Sequence, residues 1–249
     1  MKQAMITDEE RKRYARQILM IGEAGQERLK AARVLVAGAG GLGTVISLYL
    51  AAAGVGHLRI IDCDVVETSN LNRQILHWSG DVGRPKTASV GEKLAALNPL
   101  IRIETVSERI AEDSIGEMAR GCDLIVDAMD NFPTRYLLNR TAVEKGIPFI
   151  HGAVRGFFGQ ATTVIPGKTP CLRCLFPGGP PQEVFPIIGA TCGVIGAIEA
   201  TEAIKLLTGQ GEPLAGRLFL WDGLAVSADS VTVERDPSCP VCGKVKKAL

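Results

Sequence analysis

A β-branched run, Val34-Leu35-Val36-Ala37, stops at Gly38-Ala39-Gly40-Gly41-Leu42-Gly43 and gives way to an apolar, alanine-rich stretch, Thr44 to Ala53. Strand, glycine turn and helix in that order commit the chain to a parallel β-α-β unit with the turn at the carboxyl end of its first strand. Gly38, Gly40, Gly41 and Gly43 let the backbone turn tightly and approach a phosphate closely. The helix that follows offers free N–H groups and the positive end of its dipole. The next strand, His57 to Asp62, ends on a carboxylate placed to accept hydrogen bonds from ribose hydroxyls, and Asp64 on the same loop can serve instead. The turn alone does not choose between NAD, FAD and ATP, and by itself it favours a dehydrogenase.

The alternation continues along the chain. Thr7-Asp8-Glu9-Glu10 has the capping-box pattern and opens a helix predicted to run to about Met20, with a second short helix over Ala24 to Ala31. Helices are predicted over Lys86 to Leu97, Ile110 to Ala119 and Pro133 to Lys145. Strands are predicted over Ile101 to Val106, Asp123 to Asp127 and Pro148 to His151. After about residue 152 the texture changes to two antiparallel regions, Ala153 to Pro166 and Gly216 to Val233. Between them lie a Pro- and Gly-rich loop over 166–190 and one long apolar helix, Thr191 to Leu207. The expected fold class is α/β: a Rossmann-like doubly wound, mainly parallel sheet continuing into a C-terminal antiparallel β region with a four-cysteine zinc site. The expected organisation is one unit over 1–249. Its parts are N-terminal helices in 1–32, a nucleotide-binding core in 33–152, and a β region with the zinc site and long helix in 153–249.

Composition narrows the function. Lys plus Arg total 28 against 27 for Asp plus Glu, a net charge of +1, which lacks the basic excess of a general nucleic-acid binder or an anionic-membrane binder. The apolar stretch Val45 to Val55 is far short of the roughly 20 residues that span a bilayer. No apolar signal core follows Met1, so a cytoplasmic location is expected.

Three further segments follow the ends of successive strands: Ser69-Asn70-Leu71-Asn72-Arg73-Gln74, Gly83-Arg84-Pro85-Lys86, and Asp130-Asn131. In a doubly wound sheet such positions converge on one crevice. Arg73 and Lys86 can clamp a triphosphate, Asn70 can donate to it, and Asp130 can hold Mg²⁺. That set suits attack at phosphorus, where charge accumulates on phosphate oxygens, and a hydride transfer does not need it. Taken singly, Arg73 or Lys86 reads as a solvated surface charge and Asp130 as a helix cap before Pro133.

Four of the seven cysteines form two C-x-x-C pairs, Cys171/Cys174 and Cys239/Cys242, a spacing that predicts a closed, structural tetrahedral zinc site. Cys63 lies between two aspartates, which discourages a thiolate, and Cys122 reads as a small core residue. Cys192, near the start of the long helix, is the candidate for a thiolate favoured by the helix dipole. His57 and His77 read as structural, and His151, ending its strand near the crevice, is a weak candidate for substrate contact.

These segments resemble the MoeB/ThiF/HesA family of adenylyltransferases, within the ubiquitin-activating-enzyme-like superfamily. The likeness rests on RYARQ at 13–17, GAGGLG at 38–43, DCDVVETSNLNRQ at 62–74, GRPKT at 83–87, DAMDN at 127–131, CLRC at 171–174, EAIKLL at 202–207 and CPVC at 239–242. The resemblance implies binding of Mg·ATP and adenylation of the C-terminal Gly-Gly carboxylate of a small ubiquitin-like sulfur-carrier protein of the MoaD or ThiS type, for molybdopterin or thiamine biosynthesis. It implies that Gly41 contacts nucleotide through its backbone, Asp62 binds ribose, Asn70 and Arg73 bind phosphates, Lys86 stabilises charge on the reacting phosphates and Asp130 positions Mg²⁺. It also implies a homodimer in which Arg16 reaches into the partner subunit's site, and a sulfurtransferase or cysteine desulfurase as a further partner. Some relatives carry a functional cysteine after the first zinc pair, but here the loop from Leu175 to Gly189 has none. The same loop, with its Gly178-Gly179-Pro180-Pro181 run, is a candidate cover over a threaded tail. Three rivals are a tRNA threonylcarbamoyladenosine dehydratase, an NAD-dependent oxidoreductase and a non-catalytic binding subunit. Near-neutral charge and the zinc cysteines weigh against the first, the second predicts NAD binding and no need for Arg73 or Lys86, and retention of Arg73, Lys86 and Asp130 weighs against the third.

Overall fold

The structure, a computed structural model, describes residues 5–179 and 185–244. A short helix α1 (Asp8–Arg13) leads into α2 (Ala15–Ala31), and five strands then alternate with helices: β1 (Arg33–Ala37), α3 (Gly41–Ala53), β2 (His57–Ile61), α4 (Lys86–Leu97), β3 (Arg102–Val106), α5 (Ile115–Met118), β4 (Leu124–Asp127), α6 (Phe132–Lys145) and β5 (Phe149–Arg155). The remainder is β6 (Phe158–Val164), α7 (Leu172–Leu175), α8 (Gly189–Thr208), β7 (Arg217–Asp222) and β8 (Ser227–Thr232). The eight strands of the described residues form one sheet in the order β3-β2-β1-β4-β5-β6-β7-β8. Pairing is parallel from β3 to β5 and antiparallel from β5 to β8.

Both faces of the parallel half are covered, which is why its strands read as near-continuous apolar runs. Side chains alternate across the pleat. Val34, Val36, Leu58, Ile60, Leu124 and Val126 pack under α3, α4 and α8. Leu35, Ala37, Ile61, Ile125 and Phe149 pack under α5, α6 and the cysteine pairs on the other face. The strand order reverses between β1 and β4, whose carboxyl ends lie side by side with Ala37 opposite both Ile61 and Asp127. This is the switch point at which ligands bind in open α/β sheets.

The boundaries differ from the sequence reading in instructive places. The capping box at Thr7 forms as expected, with Thr7 N–H on Glu10 Oε2 at 2.6 Å and Glu10 N–H on Thr7 Oγ1 at 3.2 Å. The helix it opens stops at Arg13, because Tyr14 leaves helical geometry to bury its ring, where its hydroxyl accepts from Asn98 Nδ2 at 2.8 Å. The second helix then runs through the expected gap at residues 21–23, interrupted at Gly22 (φ 70°). The expected helix Ile110 to Ala119 shrinks to α5, since Ser114 Oγ accepts Ala111 N–H in a local turn that competes with helix. Strand β5 runs four residues past His151, and the 166–190 loop contains the short helix α7.

Candidate functional site

Gly38 opens the turn in left-handed backbone (φ 106°), and Gly43 lies so close to it that a Cβ there would fall 1.9 Å from Gly38 O. Helix α3 starts at Gly41 with Gly40 as its cap and no side chain on its first N–H groups, leaving them open to an anion. The turn is pinned from both sides at Ala39. Its N–H donates to Asp62 Oδ2 at 2.7 Å, while its carbonyl accepts from His77 Nε2 at 2.9 Å. His77 Nδ1 sits 2.9 Å from Ser89 Oγ, which accepts from Lys93 Nζ at 2.8 Å, and Lys93 is paired with buried Asp81. Burial pushes the His77 imidazole below its ordinary pKa, so the ring is neutral and donates through Nε2. Asp81 is held down at about 2: burial opposes this, but Lys93 and the Trp78 backbone N–H outweigh it. A buried ion pair thus anchors the glycine turn through a serine and a histidine. His77 is structural, as its sequence context suggests, though nothing in its local spacing shows that it reaches a turn 38 positions earlier.

The other expected residues gather around this turn. Asp62 Oδ1 accepts Asp64 N–H at 2.8 Å, so both oxygens already brace the loop, each with a lone pair left for a ribose hydroxyl. Lys86 is the first residue of α4, 7% exposed, and its ammonium pairs with Asp64 Oδ2 at 2.8 Å. The Lys86 hydrogen bond in turn holds the Asp64 carboxyl below its ordinary value. Asn70 is buried in a 3-10 turn (Thr68–Asn70), its Oδ1 on Glu67 N–H. Arg73 folds over that segment, donating through Nη1 to Ser69 O at 2.8 Å and Asn72 Oδ1 at 3.0 Å. Leu71 is half-buried beside it. This segment abuts the start of α8, where a Cβ on Gly189 would fall 2.6 Å from Asn72 O, and it approaches Gly41. Asp130 is exposed at the end of β4. Asn131, rather than Asp130, caps α6, accepting Thr134 N–H at 2.9 Å and reaching Asp130 Oδ1 at 3.3 Å.

From Asp130 a cavity of about 960 Å³ extends across β5, β6 and β7. Phe132 and Tyr136 of α6, Phe176, Gly178 and Phe185 flanking α7 and α8, and Phe158 and Trp221 of the sheet give it an aromatic lining. The glycine turn, Asp62, Asn70, Arg73 and Lys86 lie outside this cavity, and Asp130 is where crevice and cavity meet. The described flanks of the candidate cover loop line the cavity, while residues 180–184 at its centre lie outside the described residues.

Two expectations are corrected. Cys192 is fully buried against Gly41, and burial pushes its thiol up to about 11 even though Arg73 pulls the other way. Desolvation overrides the helix dipole, so it is a packed thiol rather than a thiolate. His151 is fully buried within β5, its Nδ1 donating to Asp127 Oδ2 at 2.7 Å, and it lies beneath the cavity floor rather than at the substrate surface. Arg16 is exposed on α2, whose packing runs to α1 and α8, and does not join the crevice within one chain.

Cys171, Cys174, Cys239 and Cys242 come together with all four Sγ atoms within 4.8 Å of one another. The contacts Cys171–Cys239 (3.7 Å), Cys171–Cys174 (4.0 Å) and Cys174–Cys242 (3.4 Å) match the spacing of about 3.8 Å across a tetrahedral thiolate site with metal–sulfur bonds of about 2.3 Å. Burial raises the Cys171 thiol and pushes Cys174 up to about 11, so a cation bound here would have to displace their protons.

Fold and crevice together define a doubly wound α/β protein with an anion-ready turn at the switch point. The chain belongs to the ThiF family, which matches residues 14–241. It is 47% identical over 240 residues to the SAMP-activating enzyme E1 of Haloferax volcanii, covering 93% of this chain and 88% of that protein. It is also 47% identical over 250 residues to the sulfur carrier protein adenylyltransferase of Thermus thermophilus, covering 95% and 92%. Among solved structures it resembles E. coli MccB bound to ATP, with a TM-score of 0.85 and 26% identity over 93% of this chain and 75% of that one. Among the described residues no helix is long and apolar enough to cross a membrane.

Proposed function

We propose that this adenylyltransferase activates the C-terminal Gly-Gly carboxylate of a small ubiquitin-like sulfur-carrier protein. A carboxylate oxygen attacks the α-phosphorus of ATP, the bond from that phosphorus to the bridging oxygen breaks, and pyrophosphate leaves with the electron pair. The carboxylate is already ionised at neutral pH, so the chain needs no general base. Its task is to bring two anions together. Arg73 and Lys86 set positive charge beside the phosphates, the open N–H groups of α3 add the positive end of a dipole, and Asp62 orients the ribose. Asn70 and its neighbours hold the segment carrying Arg73.

Mg²⁺ supplies further neutralisation of the phosphates when bound. The exposed Asp130 carboxylate is the oxygen donor that suits it. Zn²⁺ suits the four thiols and has a structural role there, since the set leaves no coordination position open. Arg16 completes the site of a second copy in a homodimer, and a sulfurtransferase or cysteine desulfurase serves the acyl-adenylate.

The observation that carries this reading is the meeting of the phosphate crevice and the aromatic-lined cavity at Asp130. A threaded, glycine-ended tail lying in that cavity would present its carboxylate where the phosphates are held. ATP–pyrophosphate exchange against a panel of purified carriers tests it. Exchange dependent on a carrier with an intact Gly-Gly end, and lost when that end is removed, is expected. No exchange with any carrier overturns it.

A further inference from the structure

Beneath the loop that carries Asp130 lies a buried charged cluster that the reaction as described does not use. Arg135, on α6 and 6% exposed, sends Nη2 to Met129 O at 2.5 Å and to Gly152 O at 3.3 Å, while its Nε lies 3.4 Å from Asp127 Oδ2. Asp127, fully buried at the end of β4, accepts Met129 N–H at 3.0 Å on its other oxygen and His151 Nδ1–H at 2.7 Å. Both backbone polar groups of Met129 are therefore held, one by each member of an ion pair, directly before Asp130. The Phe132 ring lies against the guanidinium at 5.2 Å, and Arg135 also lines the cavity.

Every charged group facing the cluster fits one charge state. Burial lowers the His151 pKa, so the ring is neutral, with Gln160 Nε2 3.5 Å from its second nitrogen. Glu199 of α8 is fully buried against Gly152, with no hydrogen-bond partner on either oxygen among the described residues, and burial raises its carboxyl well above the ordinary range. Among the described residues the ion-pair partner of Arg135 is Asp127.

We infer that Arg135 is a positioning residue: with Asp127 it locks the 127–131 loop so that the Asp130 carboxylate is fixed for a divalent cation on the nucleotide, and ties that loop to β5 at Gly152. The inference rests on the adenylation reading for its consequence in catalysis, but not for its geometry. A guanidinium does this where an ammonium does not. Its Nη2 donates to two carbonyls while its Nε lies within ion-pair distance of the Asp127 carboxylate, whereas a lysine is a single point donor. Preorganising a group of this kind lowers the barrier without touching substrate.

The test compares wild-type protein with Arg135→Lys and Asp127→Asn, each first checked for cooperative unfolding. ATP binding is measured by calorimetry in EDTA and in excess Mg²⁺, and Mn²⁺ binding to the ATP complex by electron paramagnetic resonance. Metal-free ATP affinity is expected to stay within twofold of wild type in both variants, since Arg73, Lys86 and the glycine turn are intact. Mn²⁺ affinity of the ATP complex is expected to fall at least tenfold, and kcat for carrier-dependent exchange to fall with it while KM for the carrier holds. A folded Arg135→Lys protein with wild-type Mn²⁺ affinity overturns the inference, and if it does not fold, wild-type Mn²⁺ affinity in Asp127→Asn does the same. Absent exchange in the wild-type protein would strike at the adenylation reading instead, leaving the metal-binding comparison to decide the role of Arg135.

Discussion

Replacing Glu199 with glutamine gives a measurable signature of the buried cluster in stability rather than activity. In the native protein the Glu199 carboxyl is raised well above its ordinary value of 4.5, first by burial and then by the charge of Asp127. Unfolded, it ionises normally. Above about pH 4.5 the native state therefore keeps a proton that the unfolded state releases. Stability due to this group is present in full below that pH and falls as pH rises toward the native pKa. Linkage sets the slope at up to about 1.4 kcal/mol per pH unit. The glutamine side chain cannot ionise, so the Glu199→Gln variant lacks this slope, while every other titrating group is shared. Urea unfolding of both proteins at pH 5, 6 and 7 should show the variant gaining on wild type by up to about 2.7 kcal/mol across that range. Stability differences that stay constant from pH 5 to pH 7 would refute the claim that Glu199 is buried uncharged.

Other perturbations read separate parts of the site. Arg73→Ala and Lys86→Ala should each abolish carrier-dependent ATP–pyrophosphate exchange while far-ultraviolet circular dichroism stays native, and near-wild-type exchange in both would remove the phosphate clamp from the mechanism. Cys174→Ser should reduce bound zinc, measured by elemental analysis, from one per chain to near zero and lower the unfolding temperature. Full metal occupancy in that variant would deny the four-thiol site. Gly41→Ala places a Cβ 2.8 Å from Cys192 Sγ and should destabilise by about 1–3 kcal/mol. Cys192→Ala in the same chain should recover most of that loss, and simple additivity in the double-mutant cycle would show that the two do not meet.

What the sequence disclosed was what local spacing encodes. The glycine turn follows from Gly38 to Gly43 after a β-branched run. The four-thiol cluster follows from two cysteine pairs, and the crevice from charged residues recurring just past successive strands. What it hid depends on contacts between distant segments. Tyr14 breaks the first helix because it packs near Gly54 and Asn98, and nothing in its neighbourhood signals this. A helix dipole favours a thiolate at an exposed helix start, whereas Cys192 is buried against Gly41. His77 and Arg135 carry no pattern of their own. Their roles exist only once Ala39, Met129 and Gly152 are brought beside them.

The pairing of Cys171 and Cys174 with Cys239 and Cys242 also orders events in time. During synthesis the first pair leaves the ribosome well before β7, β8 and the second pair exist. The parallel half of the sheet, with its glycine turn and phosphate crevice, can therefore assemble while the segment around α7, one wall of the cavity, still lacks half of its ligands. An ion held by all four thiols could be captured only after Cys239 and Cys242 are made, so the α7 wall would be the last part of the cavity to be fixed.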